Sequence, residues 1–93
     1  MAQKLRTRSV TAENQFCDPA EIVGHFNISL SGIWEGTVTV QRSFDSGSTW
    51  FDVAVWTGNT QEYGFETERN VQYRVGIKTG EFVSGQVDVR LSQ

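Results

Sequence analysis

The stretch Thr37-Val38-Thr39-Val40-Gln41-Arg42-Ser43-Phe44-Asp45-Ser46-Gly47-Ser48-Thr49-Trp50 decides how the chain is read. In its first eight residues every second side chain is apolar or long, the period of two that sends alternate residues to opposite faces of a strand. Asp45, Ser46, Gly47 and Ser48 then break the pattern with residues that suit tight turns. Alternation resumes in Trp50-Phe51-Asp52-Val53-Ala54-Val55-Trp56. Two such runs on either side of a short polar segment predict a β-hairpin.

The same period spreads outward in both directions. It is found in Phe26-Asn27-Ile28-Ser29-Leu30, at residues 63–65, in Val71-Gln72-Tyr73-Arg74-Val75-Gly76-Ile77 and in Val87-Asp88-Val89-Arg90-Leu91. Gly32, Gly58-Asn59, Arg69-Asn70 and Gly80 separate these runs with turn chemistry. A weaker strand near Leu5 to Val10 makes seven. Val, Ile and Thr total 24 against 17 for Ala, Leu, Met, Glu and Lys, a balance that favours strands over helices. The expected fold is all-β, an antiparallel β-sandwich of about seven strands. Asp18-Pro19-Ala20-Glu21-Ile22-Val23-Gly24 reads as a short capped helical turn or a loop crossing between the first two strands. Residues 1–25 are expected to be an N-terminal arm or edge strand with a connecting loop, and residues 26–93 the sandwich of one domain. On this reading residues 1–10 can be removed without unfolding it.

Composition narrows the function classes. The 93 residues carry a formal charge of -3 with scattered basic residues, so the positive field that nucleic acid requires is not expected. No run approaches the roughly 20 apolar residues of a membrane span, and no membrane partner is expected. Cys17 is the one cysteine and excludes an internal disulfide. The opening MAQKLRTRSV lacks the apolar run of a signal peptide, so the expected compartment is a cytoplasm.

Ser43, Asp45, Gly47, Thr49 and Trp50 fit the pattern S-x-D-x-G-x-T-W, which resembles the Asp box of sialidases and other β proteins. There the box is a folding element remote from catalytic residues, so the resemblance implies a hairpin clasp. The residue types agree: Asp45 suits bonds from turn amides, Gly47 a positive φ, and Trp50 an anchor for the next strand in the core. Over residues 26–91 the strand order is similar to a fibronectin type III or immunoglobulin-like domain, with Tyr73 as a corner tyrosine bonded to backbone. Residues 32–50, in a chain of this length, resemble small tailed-phage virion proteins. That resemblance implies a capsid decoration or cement protein, or a neck or tail component.

Catalysis lacks a matched set of groups. His25 stands alone, nothing positive near Cys17 activates its thiol, and Glu62, Glu66 and Glu68 are expected on a solvent face. No metal or cofactor set is present, and the sequon Asn27-Ile28-Ser29 has no route to glycosylation on the cytoplasmic reading. Trp34 and Trp56 are open to three readings: sugar platforms, interface anchors, or plugs for the sandwich ends.

The expectation is a non-enzymatic virion structural protein assembled in the host cytoplasm. It binds the major capsid protein or another virion protein, forms a homo-oligomer, and uses Leu5, Arg6, Arg8, Trp34 and Trp56 as its interface. The alternatives are a neck, tail or head-fibre component, a carbohydrate-binding module that contacts a glycan, and an immunoglobulin-like adaptor.

Overall fold

The structure is a computed structural model and describes residues 4–93. Seven strands follow one another: β1 (Leu5–Val10), β2 (Gln15–Phe16), β3 (Ala20–Gly36), β4 (Val38–Ser43), β5 (Phe51–Trp56), β6 (Thr60–Ile77) and β7 (Phe82–Ser92). All pair antiparallel in one sheet of order β1-β7-β3-β6-β4-β5, with β2 beside β6. Among the described residues there is no helix.

The pairs are nested: β1 with β7, β3 with β6, β4 with β5. The chain is thus one long hairpin with its tip at residues 44–50, rolled so that β7 also meets β3 and β6 also meets β4. This is the strand pairing of a jelly roll. β3 and β6 serve both layers of the roll. Residues 20–22 face residues 71–73, then residues 24–30 face residues 60–66, and at the corner between them Val23 alone stands against residues 67–70. Gly24 and Asn70 take positive φ values of 83° and 64° there, which glycine and asparagine tolerate best.

Among the described residues no helix covers the sheet, and its apolar face is buried against itself. Val10, Ile22, Leu30, Val38, Val75, Ile77, Val87 and Leu91 are all buried in one cluster drawn from both layers. The molecule measures 35 × 27 × 18 Å, and its thinnest dimension suits two layers about 10 Å apart rather than one flat sheet.

The all-β, antiparallel, seven-stranded and sandwich-like architecture is as the alternation predicts. Within that class the strand order is not that of an immunoglobulin-like domain. β7 lies between β1 and β3, whereas the last strand of an immunoglobulin-like domain pairs with the one before it.

Of the two forms expected for the N-terminal segment, arm or edge strand, it takes the edge strand from Leu5 on, paired with β7 along its length and burying Val10; residues 1–3 lie outside the described residues. Three local expectations are corrected. Residues 20–24 are not a helical turn, because Ala20 and Ile22 alternate inward and pair with β6. Arg69-Asn70 does not reverse the chain, and the strands expected on either side are one strand, β6. Gly32 lies within β3, where a Cβ would stand 2.4 Å from the Gln86 carbonyl oxygen, so the glycine admits β7 rather than making a turn.

Candidate functional site

One side of the roll is open. Among the described residues β5 ends one layer and pairs only with β4, while residues 60–66 of β6 end the other and pair only with β3. Between these edges is a slot of about 220 Å³. Phe26, Ile28, Val40 and Tyr73 line its depth, and Val53, Ala54, Trp56, Glu62, Tyr63 and Gly64 line its sides.

The local sequence explains the opening. On residues 60–66 the inward positions fall on Thr60, Glu62, Gly64 and Glu66, and the outward ones on Gln61, Tyr63 and Phe65. The aromatic residues therefore face solvent, Tyr63 at 82% exposure and Phe65 at 58%. Gly64 admits the Phe26 ring, which would lie 2.7 Å from an added Cβ. Glu62 sits at the mouth and accepts a hydrogen bond from the Thr60 hydroxyl at 2.8 Å. On β5, Phe51, Val53 and Val55 are exposed, Val53 beside the slot, and Phe44 lies against Phe51 with ring centres 5.9 Å apart. Exposed apolar residues thus gather along two strands that each leave one edge free, the features by which one protein chain recruits another.

A buried polar group ties the layers together deep in the slot. The Tyr73 hydroxyl donates to Glu66 Oε1 at 2.6 Å, Arg42 donates to the same oxygen at 3.1 Å, and the Glu68 N–H donates to Oε2 at 3.0 Å. Burial works to raise the Glu66 carboxyl, but these three donors outweigh it and hold it below its usual value. Burial first, and Glu66 second, push the Tyr73 hydroxyl up to about 12. Two expectations are corrected here. Glu66 is 3% exposed rather than on a solvent face, and Tyr73 bonds a side chain rather than backbone. Glu62 also faces inward, while Glu68 is exposed.

The Asp box forms a clasp at the hairpin tip. The buried Ser43 hydroxyl donates to Asp45 Oδ1 at 2.7 Å and accepts from the Gly47 N–H at 2.9 Å, and the Thr49 N–H donates to Asp45 Oδ1 at 2.8 Å. The Ser43 hydroxyl, then the Thr49 N–H, hold the Asp45 carboxyl below the usual range. Gly47 has φ 93°. Trp50 differs from expectation: it is half-buried outside the core, against the Arg74 guanidinium, which also lies 4.1 Å from the centre of the Phe16 ring.

The remaining sequence candidates are spread over the molecule. Arg6 donates to the Pro19 carbonyl and Arg8 to the Phe16 carbonyl, fastening β1 to the crossing loop, while Leu5 is exposed. Trp34 donates through Nε1 to Asn59 at 2.8 Å, and Asn59 donates to the Gly32 carbonyl. Trp34 and Trp56 both pack against the core, and Trp56 also borders the slot. Cys17 is buried, its thiol pushed up by that burial and in contact with the Val75 N–H. His25 is exposed and stacks edge-on against Phe65 at 4.6 Å. Among the described residues no three His, Cys, Asp or Glu side chains gather as a metal site.

Tyr63, Phe65, Val53 and Val55 are functional candidates that alternation does not single out. For Tyr63 and Phe65 the signal is the segment of residues 60–66, whose inward set holds two glutamates and a glycine. Comparison with protein-family models, curated proteins and solved structures finds no match to this chain.

Proposed function

We propose that the protein is a non-enzymatic virion structural protein, a decoration or cement protein that docks on the major capsid protein through its unpaired sheet edges. The observation that carries this reading is the apolar slot between β5 and the first part of β6, bordered by Val53 and Tyr63, with Phe51, Val55 and Phe65 exposed on the same two strands. An extended segment of a shell subunit adds to such an edge by backbone hydrogen bonds, and its alternate side chains enter the slot.

The virion setting comes from the resemblance of residues 32–50 to small tailed-phage proteins. Jelly-roll pairing occurs in viral capsid and lectin domains and is compatible with it, although fold alone does not select a function. The inward packing of Trp34 and Trp56 favours docking over sugar stacking. As a cement, the protein works by numbers: each contact is modest, and a shell that opens must break many at once.

The test is to count copies of this chain against the major shell protein in purified particles by quantitative mass spectrometry, then to rebind purified protein to particles lacking it. A near-stoichiometric ratio, with rebinding lost in Val53→Asp, is the expected result. A ratio of a few per cent would replace the shell by the neck or tail, and absence from particles would overturn the reading.

A further inference from the structure

The layer containing β1 has two edges of opposite charge. β1 forms one edge, with Arg6 and Arg8; residues 60–66 form the other, with Glu62 and Glu66. Among the described residues the ion pairs are Arg42–Glu66 and Lys78–Asp52, and Arg6, Arg8 and Glu62 have no charged partner among those residues. Arg6 and Arg8 donate to neutral carbonyl oxygens instead.

The backbone of the two edges is complementary as well. Lys4 and Gln93 exchange N–H···O bonds of 3.0 and 2.8 Å, which sets the alternation of the antiparallel ladder between β1 and β7. Arg6, Arg8 and Val10 then bond to β7, and the N–H and C=O groups of Leu5, Thr7 and Ser9 point away from the sheet. Carried through the registers of β7 on β3 and β3 on β6, the same alternation leaves Gln61, Tyr63 and Phe65 with outward groups on the opposite edge. Each edge offers three residues. In an antiparallel layer of four strands the first and last run in opposite directions, so a second copy placed alongside without inversion brings its β1 antiparallel to residues 60–66.

We propose that the protein associates head to tail, β1 of one copy adding to the free edge of β6 in the next. The inference rests on the docking reading above and names a second copy of this chain as one occupant of that edge. With Leu5, Thr7 and Ser9 of the added strand opposite Phe65, Tyr63 and Gln61, Arg8 stands opposite Glu62. Leu5, 46% exposed in the single chain, covers part of the Phe65 ring. The carboxylate of Glu62 replaces a neutral carbonyl as the partner of Arg8, a stronger acceptor for a guanidinium. Because the two surfaces differ, the contact repeats in one direction and generates a ring if the rotation closes or a filament if it does not.

Sedimentation velocity and native mass spectrometry over a concentration series test this. Wild type should form assemblies that grow with concentration, and Arg8→Glu or Glu62→Arg should each weaken association by about tenfold or more. Mixing the two variants should restore association, because the altered edge of each meets a complementary edge on the other. Circular dichroism checks that each variant is folded, and Glu62→Gln replaces Glu62→Arg if the latter is not. A wild type that stays monomeric, reversals without effect, or a mixture that fails to recover would each overturn head-to-tail pairing. None of these results touches binding to the shell, which the rebinding test decides separately.

Discussion

The Arg74 guanidinium lies 4.3 Å from the centre of the Trp50 ring, and this contact fastens the hairpin tip to the flank of the roll. Burial lowers the Arg74 pKa, and Nε of the same group donates to Gln41 at 2.9 Å. Arginine suits the position because its flat cation stacks on a ring while its edge remains free to donate.

Replacing Trp50 by alanine should therefore cost about 1 kcal/mol, or about 4–8 °C in Tm for a domain of this size. Arg74→Lys, which keeps the charge but not the flat stack, should lose part of the same stability. Thermal melts followed by circular dichroism measure both, and an unchanged Tm in Trp50→Ala would show that the clasp holds without the stack.

Glu66 and Tyr73 give the protein a pH dependence at both ends of the scale. The folded pKa of Glu66 lies below its unfolded value, so its contribution is complete above the unfolded value near 4.3 and is lost as pH falls through the folded one. Tyr73 is raised to about 12, so its contribution is complete below about 10 and is lost as pH rises through about 12. Tyr73→Phe should remove the alkaline loss and cost about 1–3 kcal/mol at neutral pH by leaving a buried carboxylate short of a donor. Urea unfolding across pH, with Glu66→Gln as the acid-side control, measures each arm.

Gly64→Ala should destabilise the protein by about 1–3 kcal/mol, since the added methyl meets the Phe26 ring at 2.7 Å. Pairing it with Phe26→Leu should recover part of the loss by returning space. If the double variant is no better than the sum of the two single changes, the ring and the glycine are not coupled.

A chain beginning at Thr11 loses β1 and uncovers the edge of β7, where Val87, Val89 and Leu91 are buried. It should melt well below wild type and lose part of its β circular dichroism. A truncated chain as stable as the full one would return β1 to the status of an arm.

Alternation made the strands legible wherever one face is apolar, as at Phe26-Asn27-Ile28-Ser29-Leu30 and in β4. It does not say which set faces inward when both sets contain large or charged residues. At residues 60–66 the aromatics face out and the glutamates in, because the corner at residues 67–70 and the three donors around Glu66 set the orientation. Arg69-Asn70 looks the same in sequence whether it ends a strand or bends one, and only the pairing of residues 71–73 with residues 20–22 decides. The Asp box was legible as a clasp because its bonds are local. Trp50 was not, since its partners Arg74 and Phe16 lie far along the chain.

The nesting of the strand pairs bears on how the chain reaches this structure. Once the tip hairpin has formed, pairing β3 with β6 closes only the short remaining segments on either side, and pairing β1 with β7 then closes a few residues more. Partners as distant in sequence as Leu5 and Ser92 are brought together without the entropy of closing the whole chain in one step. A zipper of this kind settles its outermost strand last. Until β1 docks, the edge of β7 is open to the β1 of another molecule, the opening that strand exchange between crowded chains requires.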